Sequence, residues 1–259
     1  MPVSPKKSLG QHFLVDRNVL GVIERLASLQ PEDVVVEVGP GLGVLTTFLA
    51  DRVRYVHAVE LDRGLEERLG EALAGRANIG LVFGDALDVD LGAMEPSPSK
   101  LVANLPYNVA TPLVAETLIA VPTLQSWCVM VQREVAERFF AEPGTKAYGA
   151  VSVLVRLHAQ RTGFHPVSRT VFRPPPNVDS ALVAFARIPP PRNAEQVRRV
   201  VTAAFGHRRK TLANAVALAG LATRADAVAA LEAIGRRADV RAEALQPDEF
   251  VRLAEILAP

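Results

Sequence analysis

The stretch "VVVEVGPGLGVLT" (residues 34–46) places a glycine-rich turn between an apolar run and the start of a helical pattern. The valine-rich run favours a buried strand, because β-branched side chains suit a sheet. Gly39 and Gly41 permit a tight turn that brings the backbone close to a ligand at the start of the next helix. The stretch therefore predicts a strand–turn–helix unit, either with a ligand at the turn or with none.

The glycine spacing argues against a nicotinamide cofactor. A dinucleotide-binding fingerprint needs its third glycine at position 44, where this chain has Val44, and the glycine stands at position 43 instead. A nicotinamide oxidoreductase is therefore a disfavoured interpretation.

The alternation of apolar runs and helical patterns continues on both sides of this unit. Helices are predicted after Asp16, near 44–50, over 62–74 and over about 110–120. Alternating strands and helices indicate an α/β fold, a parallel sheet with helices on both faces. The predicted strands are 34–38, 55–60, 79–83, 100–103, 127–132 and 181–188.

A proline-rich break near residue 190 predicts a domain boundary. The segment "PPPR" (189–192) ends the last strand pattern, and the chain beyond it has a helical pattern throughout. We therefore expect a first domain over 1–191, which begins with a basic arm, and a small all-α domain over 192–259. Residues 191–259 carry 11 Lys and Arg against 8 Asp and Glu, which permits contact with nucleic acid.

Two acidic residues follow the next strands of the predicted sheet. Glu60 ends the second strand, where a carboxylate can accept hydrogen bonds from both ribose hydroxyls. Asp85 follows the third strand and can accept from an adenine amine. Either acid alone is more often a solvated loop residue, but successive carboxyl ends of one sheet form a common ligand site. Together with the glycine turn they predict an adenosine-bearing cofactor, and the absence of a P-loop disfavours ATP hydrolysis.

The stretch "LVANLPYNV" (101–109) ends a predicted strand with an amide, a proline and an aromatic ring. The amine of a nucleobase is a poor nucleophile, because its lone pair is delocalised into the ring. The side chain of Asn104 and the backbone of Leu105, held by Pro106, can accept hydrogen bonds from such an amine, and Tyr107 can stack on the base. The alternative is a proline turn with a core tyrosine.

The composition excludes several other classes of protein. Hydrophobic residues make up 49% and charged residues 22% of the 259 residues, as in soluble globular proteins. The single cysteine cannot form an internal disulfide, and the five histidines lack metal-ligand spacing, so no metal is expected. No signal peptide and no membrane span are expected, and we predict a cytoplasmic protein.

These motifs together resemble the class I S-adenosylmethionine-dependent methyltransferases. The more specific resemblance is to the small-subunit ribosomal RNA adenine dimethyltransferases, the KsgA/RsmA family. It covers nearly the whole chain in the family's order. The segments that carry it are "KKSLGQHFL" (6–14), "EVGPGLGVLT" (37–46), "VELD" (59–62), "GDAL" (84–87), "NLPYNVATPL" (104–113), "VQREVAERF" (131–139), "VFRPPPNVDSALV" (171–183) and "FGHRRKTLANAV" (205–216).

The resemblance implies a Rossmann-like methyltransferase sheet and S-adenosylmethionine as the cofactor. One position departs from the family pattern, since the residue before the Phe-Leu pair is His12 where asparagine is usual. Histidine can still form a hydrogen bond there. The cofactor-binding residues expected on this basis are His12, Leu14, Gly39, Gly41, Glu60, Asp85 and Asn104.

The resemblance also implies how a target base is held. Phe172 matches the aromatic residue that sandwiches the base with Tyr107, although "FRPPPNVDS" alone is more often a rigid proline loop. Base–aromatic stacking contributes roughly 1–3 kcal/mol per base. The expected catalytic residues are Asn104, Leu105, Pro106, Tyr107 and Phe172.

A basic cluster in the small domain is the predicted RNA contact. Arg208, Arg209 and Lys210 lie in "HRRK" (207–210), at the expected start of a helix. Such a run is commonly a solvated face, whereas the resemblance favours contact with the RNA backbone. No role beyond helix packing is predicted for "VQREVAERF".

The resemblance implies dimethylation of two adjacent adenosines near the 3′ end of small-subunit ribosomal RNA. The expected partner is that RNA within an assembling particle, and the protein is expected to act as a monomer. One alternative is the related family that methylates a large-subunit adenosine and confers antibiotic resistance. Another is a ribosome-assembly factor that keeps the fold but acts only by binding.

Overall fold

The computed structural model describes residue 6, residues 11–207 and residues 209–257. Its chain divides into two compact units. The first comprises Met1–Ala136 with Gln160–Arg187, and the second comprises Glu137–Ala159 with Ile188–Pro259. The expected boundary near 191 lies close to the third crossing between the units, after Arg187. Residues 137–159, expected in the first domain, belong to the helical unit instead.

A seven-stranded sheet forms the centre of the first unit, in the order β4-β3-β2-β5-β6-β9-β7. The strands β2 to β6 are parallel, and β9 runs antiparallel to β6. The strands are β2 (Val34–Val38), β3 (Tyr55–Glu60), β4 (Ile79–Phe83), β5 (Lys100–Asn104), β6 (Ser126–Gln132), β7 (Ala159–Val167) and β9 (Ser180–Arg187).

The predicted strands are all present, and the sheet is mixed rather than wholly parallel. The strand β7 was not predicted. Its sequence "AQRTGFHPV" mixes polar and apolar residues, and only its first and last residues are buried, as expected of a strand at the edge of a sheet, so it lacks an apolar run.

Helices cover both faces of the sheet. Successive side chains of each strand point to opposite faces, so both faces offer side chains against which a helix can pack. On one face Cys128 and Met130 of β6 join a core with the helix α1 (Asn18–Ala27). On the other face the indole of Trp127 donates to the hydroxyl of Thr117, 3.1 Å away, in α4. The other helices here are α2 (Val44–Ala50), α3 (Glu66–Leu73), α4 (Ala110–Ala120) and α5 (Arg133–Phe139).

A second, two-stranded sheet joins the arm to the proline loop. The strand β1 (Phe13–Leu14) pairs antiparallel with β8 (Phe172–Arg173). The amide of Val15 continues this ladder by donating to the carbonyl of Val171, 2.9 Å away. The part of the arm that the structure describes is therefore ordered by backbone pairing.

The second unit is helical around its own apolar core. Tyr148 is fully buried there, and its hydroxyl donates to the carbonyl of Leu245 at 2.8 Å. Arg236 forms two hydrogen bonds, 2.6 and 2.7 Å, to the carboxylate of Glu249. Its helices are α6 (Ala150–His158), α7 (Ala194–Gly206), α8 (Leu212–Leu218), α9 (Arg224–Ala233) and α10 (Pro247–Leu257). Across the described part of the chain, none of the helices has the length and apolar character needed to cross a bilayer.

Candidate active site

A cavity opens at the carboxyl edge of the sheet, where the strands β2, β3, β4 and β5 end. This is the edge at which open α/β sheets bind ligands. The arm closes one side of the cavity, since the residues just before and within β1 line it. The lining consists of residues 11–14, 37–42, 44–45, 59–61, 84–86 and 104–109.

The glycine turn needs its glycines for two reasons. Gly39 and Gly41 have φ values of +75° and +59°, which side chains other than glycine rarely adopt. A Cβ on Gly39 would also lie 3.3 Å from the ring of Pro106, and one on Gly41 would lie 2.9 Å from the ring of Phe13. The turn therefore packs closely against both the arm and the loop after β5.

Glu60 is oriented by two backbone amides. One carboxylate oxygen accepts from the amide of Gly41 at 3.1 Å, and the other accepts from the amide of Asp62 at 2.8 Å. Burial raises the pKa of Glu60, and these two N–H groups partly oppose that rise. Each oxygen retains a lone pair, so the carboxylate can still accept hydrogen bonds from a pair of hydroxyls.

Asp62 ties the arm to the same strand end. Its carboxylate accepts from the ammonium group of Lys6 at 2.6 Å and from the amide of Gln11 at 2.8 Å. Burial alone would raise the pKa of Asp62, but the hydrogen bonds from Lys6 and Gln11 lower it below its usual value. Asp62 had no predicted role. In the sequence, an acidic residue that follows a strand looks the same whether it binds another segment or lies in a solvent-exposed loop.

Glu37 is a further cavity residue that the sequence analysis missed. It is 1% exposed near the carboxyl end of β2, and no donor of the described residues reaches its Oε2. Burial raises the pKa of Glu37 from 4.5 to about 8; the nearby Thr46 hydroxyl opposes this rise, and the Glu60 carboxylate adds a smaller contribution to it. A buried carboxylate with an unpaired oxygen at a cavity is suited to a cationic ligand. The sequence feature that could have pointed to Glu37 is that it is the one acidic residue within the valine-rich run "VVVEV".

Asp85 lies on the lining as predicted, on the loop after β4. One of its oxygens accepts from the amide of Leu87 at 2.9 Å, which fixes the loop. The side chain is half-buried, and its second oxygen has lone pairs for a ligand.

The amide of Asn104 is held by the arm. Its Nδ2 donates to the backbone carbonyl of His12 at 3.2 Å, which leaves Oδ1 as the acceptor. Leu105 is buried, and its N–H donates to the carbonyl of Met130 at 3.0 Å. The carbonyl of Pro106 accepts from the amides of Val109 and Ala110, just before and at the start of α4. The backbone around the amide is thus fixed on both sides.

The ring of Tyr107 lies at the lining, half-buried, beside the imidazole of His12. The ring centroids are 5.7 Å apart and the planes are inclined by 33°. The hydroxyl of Tyr107 lies 2.7 Å from that of Ser180, and burial raises the pKa of Tyr107. The imidazole is held in turn by the carbonyl of Pro174, 2.8 Å from its Nδ1.

Phe172 is not on this lining, and its expected stacking on a base stays a prediction. Its side chain is 2% exposed and packs in the core with Leu14, the residue it pairs with across the small sheet. The physical reason is the pairing itself: the strand β8 holds the arm by its backbone and directs the ring inwards. His12 is the aromatic residue that lies next to Tyr107.

Of the basic cluster, Arg209 and Lys210 lie in the turn between α7 and α8 rather than at the start of a helix. Arg209 and Lys210 are exposed, whereas Arg208 lies outside the described residues. The amide of Lys210 donates to the carbonyl of His207 at 2.8 Å, which closes the turn.

Replacing Glu60 with alanine is expected to weaken S-adenosylmethionine binding at least tenfold. The reason is that charge-assisted hydrogen bonds contribute roughly 1.5–3 kcal/mol. Isothermal titration calorimetry on the variant provides the measurement, and circular dichroism checks the fold. Glu67→Ala, which removes an exposed acid of α3, is the matched control. An unchanged dissociation constant in Glu60→Ala would remove Glu60 from the cofactor site.

The chain matches proteins of one family over almost its entire length. The family model for ribosomal RNA adenine dimethylase matches residues 3–259. A protein from Rubrobacter xylanophilus named ribosomal RNA small subunit methyltransferase A is 46% identical over 98% of this chain and 96% of its own length. A protein of the same name from Pelotomaculum thermopropionicum is 44% identical over 98% of this chain and 91% of its own.

Solved structures show the same architecture. A dimethyladenosine transferase from Plasmodium falciparum superposes with a TM-score of 0.76 at 23% identity, over 93% of this chain and 96% of that one, and shares the fold. The 23S rRNA methyltransferase ErmE gives a TM-score of 0.67 at 30% identity, over 95% of this chain and 100% of that one. With a match from residue 3 to residue 259 and relatives more than 40% identical, this chain belongs to the ribosomal RNA adenine dimethylase family.

Proposed function

We propose that this protein transfers methyl groups from S-adenosylmethionine to the N6 amines of two adjacent adenosines near the 3′ end of small-subunit ribosomal RNA. The observation that carries the proposal is the Asn104 amide, fixed by the carbonyl of His12 at the edge of the cavity. The names of the relatives support the small subunit as the source of the RNA.

S-adenosylmethionine is the methyl donor of this family, and the cavity residues fit it. The cofactor is cationic, and the Glu37 carboxyl group, once it loses its proton on cofactor binding, offers a buried anion for it. Glu60 and Asp85 supply carboxylate acceptors for its ribose and adenine groups, and Gly39 and Gly41 allow close approach of the backbone. The bound cofactor supplies an electrophilic methyl group.

The role of the chain in the reaction is to prepare the amine. Oδ1 of Asn104 accepts one amine hydrogen bond, and the backbone carbonyl of Leu105 accepts the other. Both acceptors favour a pyramidal nitrogen whose lone pair is no longer delocalised into the ring. Positioning and preorganised hydrogen bonding then account for catalysis without an obligatory general base.

The target adenosine leaves its stack to reach the cavity, at a cost of a few kcal/mol. The ring of Tyr107, fixed by the hydroxyl of Ser180, offers a stacking surface that offsets roughly 1–3 kcal/mol of this cost. The adjacent imidazole of His12 extends that surface. Phe172 would contribute a second face only if its ring left the core.

The direct test is tritiated methyl transfer from S-adenosylmethionine to unmethylated small ribosomal subunits, followed by nucleoside analysis and mapping. We expect N6,N6-dimethyladenosine at two adjacent positions. Large subunits serve as the comparison substrate. Methylation of the large subunit alone would favour the antibiotic-resistance type, and tight subunit binding without methyl transfer would favour a binding-only assembly factor.

We further propose that the substrate is an assembling small-subunit particle and that the protein acts as a cytoplasmic monomer. Transfer to particles from successive assembly stages, compared with naked RNA, tests the first point. Sedimentation of the free protein tests its oligomeric state, and cell fractionation tests its location.

The basic turn of the second unit is proposed to contact the RNA backbone. Replacing Arg208, Arg209 and Lys210 with alanine should weaken small-subunit binding. Each lost phosphate contact should flatten the salt dependence of log K by about 0.7 to 0.9. Filter binding over a salt series is the measurement, and cofactor affinity should not change.

Arg237→Ala is the matched control for this cluster. Arg237 is exposed in the same unit, but its guanidinium already pairs with Asp239 at 2.8 Å. We expect wild-type binding from this control. If the triple variant also kept wild-type affinity and slope, the turn would be a solvated surface only.

A further inference from the structure

Two segments that the chemistry above leaves without a role meet in one cleft of the first unit. One is the start of "QREVAERF", at the junction of β6 and α5, and the other is the end of the proline loop before β9. The cleft is lined by Gln132, Arg133, Glu134, Arg169, Asn177, Val178 and Asp179.

Hydrogen bonds from backbone and side-chain groups hold these segments together. The amide of Arg133 donates to the carbonyl of Asp179 at 3.1 Å. The Asp179 carboxylate accepts from the amide of Arg169 at 3.1 Å, and the guanidinium of Arg169 donates to the carbonyl of Asn177 at 3.4 Å. The cleft therefore has a defined shape without any ligand.

The cleft begins next to the residues that receive the target base. The strand β6 lies beside β5, where Met130 pairs with Asn104, so Gln132 is only two residues beyond this pair. Gln132 pairs in turn with Ser180, whose hydroxyl lies 2.7 Å from that of Tyr107. A strand of RNA that places one base against Tyr107 would thus continue into the cleft.

The side chains at the cleft suit a ribonucleotide better than a free anion. Arg133 and Arg169 are exposed, and guanidinium groups bind phosphate with two donors. The carboxylates of Glu134 and Asp179 lower the net charge but can accept from a 2′-hydroxyl, the group that distinguishes RNA from DNA. Val178 is 47% exposed, as an apolar contact for a base or ribose would be.

We propose that this cleft binds the nucleotide next to the target adenosine, with its phosphate at Arg169. The proposal rests on the proposed function, because it takes the RNA strand at Tyr107 as given. Under this proposal the start of "QREVAERF" takes part in substrate binding, whereas the sequence alone predicted only helix packing for this segment.

The test uses Arg169→Ala in the full-length protein with unmethylated small subunits as substrate. The substitution keeps the backbone N–H that donates to Asp179, so the loop retains that contact. We expect a KM for subunits raised about fivefold or more, a kcat within a factor of two, and unchanged cofactor affinity. The slope of log K against log salt should fall by about 0.7 to 0.9 for one lost contact.

Two further variants separate a phosphate contact from a structural effect. Arg169→Lys keeps the charge and should restore most of the affinity and the slope. Arg54→Ala removes an exposed arginine just before β3, at the opposite edge of the sheet, and should behave as wild type.

Wild-type KM and salt slope in Arg169→Ala would overturn the proposal. So would an equal loss in the alanine and lysine variants at every salt concentration, since that pattern indicates a disturbed loop. Failure of the proposed function is distinguishable from both, because the wild-type protein itself would then not methylate small subunits.

Discussion

Replacing Asn104 with alanine is expected to slow methyl transfer to small subunits by about 100- to 1000-fold, the range seen when one preorganised hydrogen-bonding group at a reacting centre is removed. The Oδ1 atom accepts most strongly when the amine becomes pyramidal, so its loss acts on the transition state. Cofactor affinity should change by about tenfold or less, since one neutral hydrogen bond contributes roughly 0.5–1.5 kcal/mol at most sites.

Single-turnover methyl transfer gives the rate, calorimetry gives cofactor affinity, and filter binding gives affinity for the subunit. Asn108→Ala is the matched control, because Asn108 lines the same cavity but is exposed and is not held by the arm. We expect the control to keep most of its activity. A rate for Asn104→Ala within tenfold of wild type would show that the backbone carbonyl of Leu105, or another group, prepares the amine.

The parallel strands of the sheet were predictable because each carries its own local signal. Val34–Val38 and Ile79–Phe83 are apolar runs bounded by turn residues, and such runs favour strands wherever they occur. The strand Ala159–Val167 carries no such signal, since an edge strand is half-solvated and its side chains need not be apolar. Its place depends on pairing with β9, a long-range contact.

The residues of the candidate site also fall into two groups, those that local sequence patterns predict and those whose position depends on long-range contacts. Four predicted residues line one cavity because parallel strands end at the same edge of a sheet, and the order of strands in the sequence is enough to predict this. They are Gly39, Glu60, Asp85 and Asn104. The direction of the Phe172 ring depends on which face of the small sheet meets the core. The contact between His12 and Asn104 joins residues that are 92 positions apart, so no local sequence pattern predicts it.

Glu37 shows why a structure was needed to find a candidate ligand group. Within "VVVEV" its acid looks like a strand residue on a solvated face. The sheet order places β2 between β3 and β5, so the side chain is buried on every side except at the cavity. An uncompensated carboxylate in that position is costly, which is a reason to expect a functional role for it.

The pH dependence of cofactor binding is the second large effect expected. Burial raises the pKa of Glu37 to about 8, so this carboxyl group is mostly protonated in the free protein at neutral pH. A cationic cofactor favours the ionised form, and binding below pH 8 should therefore release a proton. The association constant should rise about tenfold per pH unit up to pH 8 and then level off.

The stability of the free protein should change in the opposite direction. Because the pKa of Glu37 in the folded state lies above its ordinary value of 4.5, the folded state binds the proton more tightly than the unfolded chain does. This group therefore lowers the free energy of unfolding as pH rises from about 4.5 to about 8, by roughly 1.4 kcal/mol per pH unit. Above pH 8 its contribution is constant.

Glu37→Gln separates the two effects. Glutamine keeps the size of the side chain and stays neutral, so at pH 8 the free variant should be more stable than wild type by thermal unfolding. Its cofactor affinity should be lower by about 100-fold or more and should lose the Glu37 component of the pH dependence, because a buried charge pair cannot form. Calorimetry in buffers with different ionisation enthalpies measures proton release directly. Equal proton release by wild type and Glu37→Gln would assign the released proton to another group, and wild-type affinity in the variant would mean that the cofactor's positive charge is balanced elsewhere.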